Sequence, residues 1–143
     1  MSQIFKAQGD YTTALTYLQD SLAIQQQIGD KAGEGTTLNN ISQIYDAQGD
    51  YTTALTYLQD SLAIRKQIGD KAGLCPTLFN MGHIHAQNDE MDEAVSVWVI
   101  AYVIAKEIGY AQVLQALAQL APRLGLPEGL EGWEMLARQR ADG

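Results

Sequence analysis

The sequence predicts an all-α solenoid of antiparallel helical hairpins, on three observations. Gly9 to Ile24 reads GDYTTALTYLQDSLAI, and the same sixteen residues return unchanged at Gly49 to Ile64, a period of forty. Within a period the apolar residues recur at helical spacing, as in Ala54, Leu55, Leu58, Leu62 and Ile68. No run alternates with period two, so no strand is expected. A period of this length marks a stacked supersecondary unit whose copies bury one another's apolar faces.

Taken in order, Ser2-Gln3-Ile4 returns as Ser42-Gln43-Ile44. Residues Ser2 to Gln8 are therefore expected to form a short first helix, Gly9 a turn, and Tyr11 to Ile28 a second helix. A helix as short as Ser2 to Gln8 draws its stability from packing on its neighbour. Met1 aligns with Ile41, in mid-helix, so the chain reads either as a piece of a longer array or as a short frame with an incomplete first hairpin. In both cases apolar surface is left open, which invites self-association.

The second unit follows a linker, Gly29-Asp-Lys-Ala-Gly-Glu-Gly. Its first helix carries the stripe Leu38, Ile41, Ile44 and Tyr45, and Gly49 closes the turn. Asp50 is the expected N-cap of a helix from about Tyr51, and Gly69 the left-handed residue past its end. A divergent third copy keeps register: Ala54 maps to Ala94, Leu58 to Trp98, Ile64 to Ile104 and Ile68-Gly69 to Ile108-Gly109. Pro76 lacks an N–H and restricts Cys75, so the third unit's first helix is expected to begin late or kink there. The apolar run Val95 to Ala105 is far short of the roughly 20 residues that span a membrane, and reads as a buried helix.

After Tyr110 a helical stripe continues through Val113, Leu114, Leu117, Leu120 and Leu124, but Pro122 and Gly125 break the period. A last segment, Leu130 to Arg140, holds Trp133 and Leu136, with Arg138 and Arg140 near its end, where cations suit a helix C-terminus. This pair is the expected divergent closing hairpin. Val99 and Ile100 stand where the second unit has Gln59 and Asp60, and burying each is worth roughly 1.5 to 3 kcal/mol. Either the Trp133/Leu136 helix or a dimer partner should cover them. The chain is thus expected to be a single domain of units 1–30, 31–70, 71–110 and 111–143.

The formal net charge of −8 and pI near 4.5 disfavour nucleic acid and anionic membrane surfaces as partners. One cysteine, Cys75, permits no internal disulfide, and MSQIFKAQG lacks a secretory layout, so a cytoplasmic location is expected. No catalytic residue, metal site or cofactor is expected. His83 and His85 lie two apart on different helix faces, and His85 reads as structural. Cys75 has no evident base, and neither a phosphate loop nor a nucleophile elbow is present. Asp89-Glu90-Met-Asp92-Glu93 lacks the spaced oxygens and glycine of a calcium loop.

The pattern Leu38, Ile41, Ser42, Tyr45, Gly49, Ala54, Leu58, Ser61 resembles the tetratricopeptide repeat, and the likeness covers about residues 1 to 110. The forty-residue length and the linker resemble the longer-repeat subclass typified by Pins/LGN scaffolds and many bacterial arrays. The resemblance implies a right-handed superhelix in which the first helix of each hairpin lines a concave, peptide-binding groove. Groove positions would be Thr36, Asn39, Asn40, Gln43 and Asp46 in the second unit, and Pro76, Phe79, Asn80, His83 and Gln87 in the third. Asn40 and Asn80 match the family's groove asparagine, whose amide both donates and accepts; otherwise they are polar surface.

Where Pins/LGN-type repeats carry an arginine four residues before that asparagine, this chain has Thr36 and Pro76, and of the carboxylate-clamp cations only Lys6 is available. The expected partner is therefore a protein or peptide, neutral or basic rather than acidic. Phe79, opposite Asn39 in the preceding unit, is either a ligand anchor or packs near Gln115 and Gln119. The function implied is a protein–protein interaction scaffold. The alternatives are a homo-oligomerisation element using exposed repeat faces, or a sensor arm of a larger signalling protein.

Overall fold

The computed structural model describes the backbone of residues 2–142 and the side chains of residues 9–140. All regular structure among the described residues is helical, and the chain divides into two compact units, residues 1–68 and 69–143.

The first unit holds α1 (Ser2–Ile28), α2 (Lys31–Ala47) and α3 (Tyr51–Gln67). Gly29 ends α1 at φ 76°, and Asp30 caps α2 by accepting the Gly33 N–H at 3.0 Å. The expected seven-residue linker is thus only Gly29-Asp30, because the cap starts the helix at Lys31. Between α2 and α3, Gly49 takes φ 81° and its N–H donates to the Asp46 carbonyl at 2.9 Å. Asp50 then accepts the Thr53 N–H at 3.3 Å, as its N-cap position requires.

The resulting antiparallel pair buries Leu38 and Ile41 of α2 with Ala54, Leu55 and Leu58 of α3. Tyr45 stacks on Tyr57 with ring centroids 5.6 Å apart. Small residues sit where the helices come closest: Ser42 and Ser61 are buried, and the Ser61 hydroxyl donates to the Gly35 carbonyl at 2.8 Å.

The expected first hairpin does not form. Residues Ser2 to Gln8 and Tyr11 to Ile28 belong to one helix that runs straight through Gly9-Asp10, and the Thr13 hydroxyl donates to the Gly9 carbonyl at 3.0 Å as in a helix interior. Glycine accepts either conformation, so the turn depends on what packs across it. At Gly49 a whole helix, α2, lies over α3; the segment before Gly9 is two turns long, and the straight helix satisfies the backbone without it.

The second unit holds α4 (Lys71–Gln87), α5 (Met91–Ile108), α6 (Ala111–Leu120), a 3-10 turn at Ala121–Leu124, and α7 (Glu131–Asp142). Pro76 does not delay α4. Asp70 accepts the Gly73 N–H at 2.9 Å and starts the helix at Lys71, so the proline removes one internal bond, to the carbonyl of solvent-exposed Ala72.

The turn between α4 and α5 is rebuilt. Asp89 stands where Gly49 does and takes φ 59°, a left-handed conformation an aspartate tolerates better than most residues. Glu90 makes no side-chain cap; its carboxylate instead meets His85 Nδ1 at 3.0 Å and accepts from the Asn88 amide at 3.1 Å. That pair replaces the Tyr45–Tyr57 stack, as expected of a structural His85. The His85 imidazole, followed by the Asn88 amide, holds the Glu90 carboxyl below its usual range.

Trp98 and Trp133 are the largest fully buried side chains and meet edge to face, 6.2 Å apart. Their indole N–H groups donate to the carbonyls of Phe79 (3.1 Å) and Leu117 (2.7 Å). Trp98 fits only because residue 82 is glycine: a Cβ there would lie 2.1 Å from the indole nitrogen. Val99 is buried and shares a cavity wall with Leu136, so α7 does cover it. Ile100, by contrast, is 37% exposed, because it lies on the outer face of α5. Glu134 ties α7 to α5, accepting from the Tyr102 hydroxyl and from Lys106 Nζ at 2.8 Å.

Candidate functional site

Each unit carries a cleft that includes expected groove residues. In the first, α1 and α2 line a cleft of about 620 Å³. Asn40, Gln43, Ile44 and Ala47 form one wall; Tyr11, Ala14, Tyr17 and Leu18 form the other. The lining is largely apolar and is edged by two amides that can each donate and accept.

The other residues expected on α2 lie elsewhere. Thr36 is exposed and its hydroxyl donates to the Ala32 carbonyl at 3.2 Å. Asn39 is half-buried, its carbonyl accepting the Ser42 hydroxyl at 2.6 Å. Asp46 is half-buried beside the turn it closes through its carbonyl. Thr36 also has a cationic neighbour: Arg65 Nη2 donates to its hydroxyl at 3.4 Å. A guanidinium thus reaches the position whose arginine the sequence lacks, from α3 rather than α2. The signal was available, since Gln25 to Arg65 is one of six differences between Gly9–Asn40 and Gly49–Asn80.

In the second unit a cleft of about 200 Å³ is lined by Phe79 and His83 of α4, Ala116, Gln119 and Leu120 of α6, and Arg123. Phe79 is half-buried and meets the His83 ring edge-on at 4.6 Å, and His83 meets Trp98 at 5.4 Å. The Trp98 bond to the Phe79 carbonyl fixes the backbone beneath this ring cluster. Phe79 therefore does stand beside Gln119, and it also faces the cleft. Asn80 is half-buried and Gln87 exposed; neither lines this cleft, nor does Pro76. Arg123, in the segment read from sequence only as part of a closing hairpin, had no signal marking it as a cleft residue.

Among the described residues no group of three or more His, Cys, Asp or Glu could hold a metal ion, and no helix is long and apolar enough to cross a membrane. Burial pushes the Cys75 thiol up, away from the thiolate a nucleophile needs, and its Sγ–H lies 3.5 Å from the Lys71 carbonyl.

A search of curated proteins finds no match to the chain. A family model described as the tetratricopeptide repeat matches residues 1–67, which is the first unit to the end of α3. Residues 1–67 are thus similar to the tetratricopeptide repeat, whose domains are non-catalytic scaffolds.

Proposed function

We propose that the chain is a protein–protein interaction scaffold that seats a partner segment along the faces carrying Asn40 and Gln43, with a second contact at Phe79 and His83. One observation carries this: in the first unit Asn40 and Gln43 edge an open, largely apolar cleft of about 620 Å³. The forty-residue period and the repeated Gly-Asp caps support assignment to the longer-repeat subclass resembling Pins/LGN-type and bacterial arrays. Stacking into a right-handed superhelix and a capping role for α6 and α7 belong to the same proposal, supported by the period and by the burial of Val99 and Trp133.

Charge should divide the two contacts. Among the described residues lining the first cleft Asp10 is the one acid or base, which suits a neutral or basic segment, whereas Arg123 gives the second a cation. A cytoplasmic setting is proposed from the single, buried, free cysteine.

The test is a peptide-array or pull-down comparison of the wild type with an Asn40→Ala, Gln43→Ala variant of unchanged helicity and melting. Loss of a partner in the variant alone supports the cleft; a partner retained by both moves the site elsewhere. Self-association is a second use of the same surface, favoured by the 75% exposure of Tyr17.

A further inference from the structure

The open cleft beside α1 has a known fit inside the same molecule. Its α1 wall belongs to the sixteen-residue segment repeated in α3, and in α3 the matching residues, Ala54, Tyr57 and Leu58, are packed against the antiparallel α2. Ala54 and Leu58 are fully buried there, whereas Ala14 and Leu18 are half-exposed and Tyr17 is 75% exposed. Identical side chains in one helical register ask for the same cover, an antiparallel helix resembling the second half of α2. The residues that match that half are Ser2 to Gln8, with Phe5 at the position of Tyr45. They do not turn back; they extend α1 in a straight line.

We infer that the cleft is filled by α1 of a second copy of this chain, running antiparallel about a two-fold axis near Tyr11, so that Ser2 to Gln8 of each copy occupies the cleft of the other. This names the partner for the cleft in the function proposed above and rests on that cleft being an interaction site. The register follows from the hairpin. Tyr45 stacks on Tyr57, so position 5 of one copy faces position 17 of the other, and the positions of each facing pair sum to 22. The two helices then overlap from residue 2 to residue 20, roughly 28 Å at 1.5 Å per residue. Charge does not oppose the pairing even in a chain of net −8: Tyr11 to Gln19 contains no ionisable acid or base of ordinary charge at neutral pH, and α1 as a whole has only Lys6, Asp10 and Asp20. An opened hairpin whose contacts are remade between chains is a domain swap, for which a turn that also accepts helix is the usual hinge.

The test uses the full chain with Cys75→Ser, which leaves no other thiol. Phe5→Cys and Tyr17→Cys are made as separate variants and mixed under mild oxidation. The swap predicts a covalent dimer in the mixture and little in either variant alone. Like cysteines would lie roughly 18 Å apart along the pair, beyond the 7 Å Cα separation a disulfide allows. Light scattering should show a dimer that Leu18→Asp weakens at least tenfold with helicity retained. A double Phe5→Cys, Tyr17→Cys chain that closes on itself as a monomer overturns the swap, because the hairpin then forms within one copy. A monomer with no cross-link in any mixture overturns it too. If that monomer still loses a peptide partner through Asn40→Ala, Gln43→Ala, the cleft keeps its function and only its proposed occupant falls.

Discussion

The segments Gly9–Ile24 and Gly49–Ile64 have the same sixteen residues and do different things. At Gly49 the chain turns, Asp50 caps α3, and Leu58 is completely buried; at Gly9 the chain stays helical, nothing is capped, and Leu18 is half-exposed. Local sequence therefore supplies a choice of conformations, and the packing of a neighbouring helix makes the choice. Propensity is a weak prior that tertiary contacts override.

The difference can be broken residue by residue, beginning with the core. Leu58→Ala should destabilise the protein by about 2–5 kcal/mol in urea unfolding, since it opens a cavity between α2 and α3. Leu18→Ala, the same change in the same local sequence, should cost about 1 kcal/mol or less in dilute protein. A larger loss that appears only as concentration rises would mean the Leu18 face is buried by a second copy.

The glycines should respond with opposite signs. No atom lies within 4 Å of a Cβ added at either position, so only backbone preference is at issue. Gly49→Ala forces an L-residue to a left-handed φ and should cost about 1–2 kcal/mol. Gly9→Ala places alanine inside a helix and should stabilise it by about 0.5–1 kcal/mol. Equal, unfavourable effects by thermal unfolding would show that Gly9 is a turn in solution after all. The caps give a related contrast of about 1 kcal/mol: Asp50→Ala removes the acceptor of the Thr53 N–H, while Asp10→Ala removes no cap and should be close to neutral.

The smallest effect concerns pH and the second unit, which has departed from the repeat. Lys106 first, and then the Tyr102 hydroxyl, hold the Glu134 carboxyl down to about 2. A carboxylate with a folded value below its ordinary 4.5 stabilises the fold above that range and loses the contribution as pH falls from about 4.5 toward 2. The melting temperatures of wild type and Glu134→Gln should therefore differ at pH 7 and converge near pH 2. Parallel curves would mean the Lys106 contact is absent in solution.

Most of the helix boundaries were legible because glycine and aspartate mark them in sequence. Gly29, Gly49, Gly69 and Gly109 are all left-handed, and Asp30, Asp50 and Asp70 all cap, as their positions imply. The course of α1 was not legible, since no property of Gly9-Asp10 differs from Gly49-Asp50. Of the groove positions, Asn40, Gln43, Phe79 and His83 line clefts. Helical spacing gives a face, but which residues on that face border empty space depends on neighbours: α6 and Arg123 in one unit, and the straight α1 in the other. Arg65 was marked in sequence as a difference between units, but its reach to Thr36, 29 residues away, depends on packing in the same way.

Gly82 and Trp98 carry a lesson about how the units could have diverged. They stand where the second unit has Ser42 and Leu58, and the indole nitrogen lies 2.1 Å from where any Cβ at residue 82 would be. A copy that gained the tryptophan while keeping serine would have its two helices forced apart. One that lost the serine first would lose only a methylene and a hydroxyl and remain foldable, at the modest cost of a helical glycine. Of the two single-step routes between these pairs, the one through glycine avoids the clash that the 2.1 Å approach would impose.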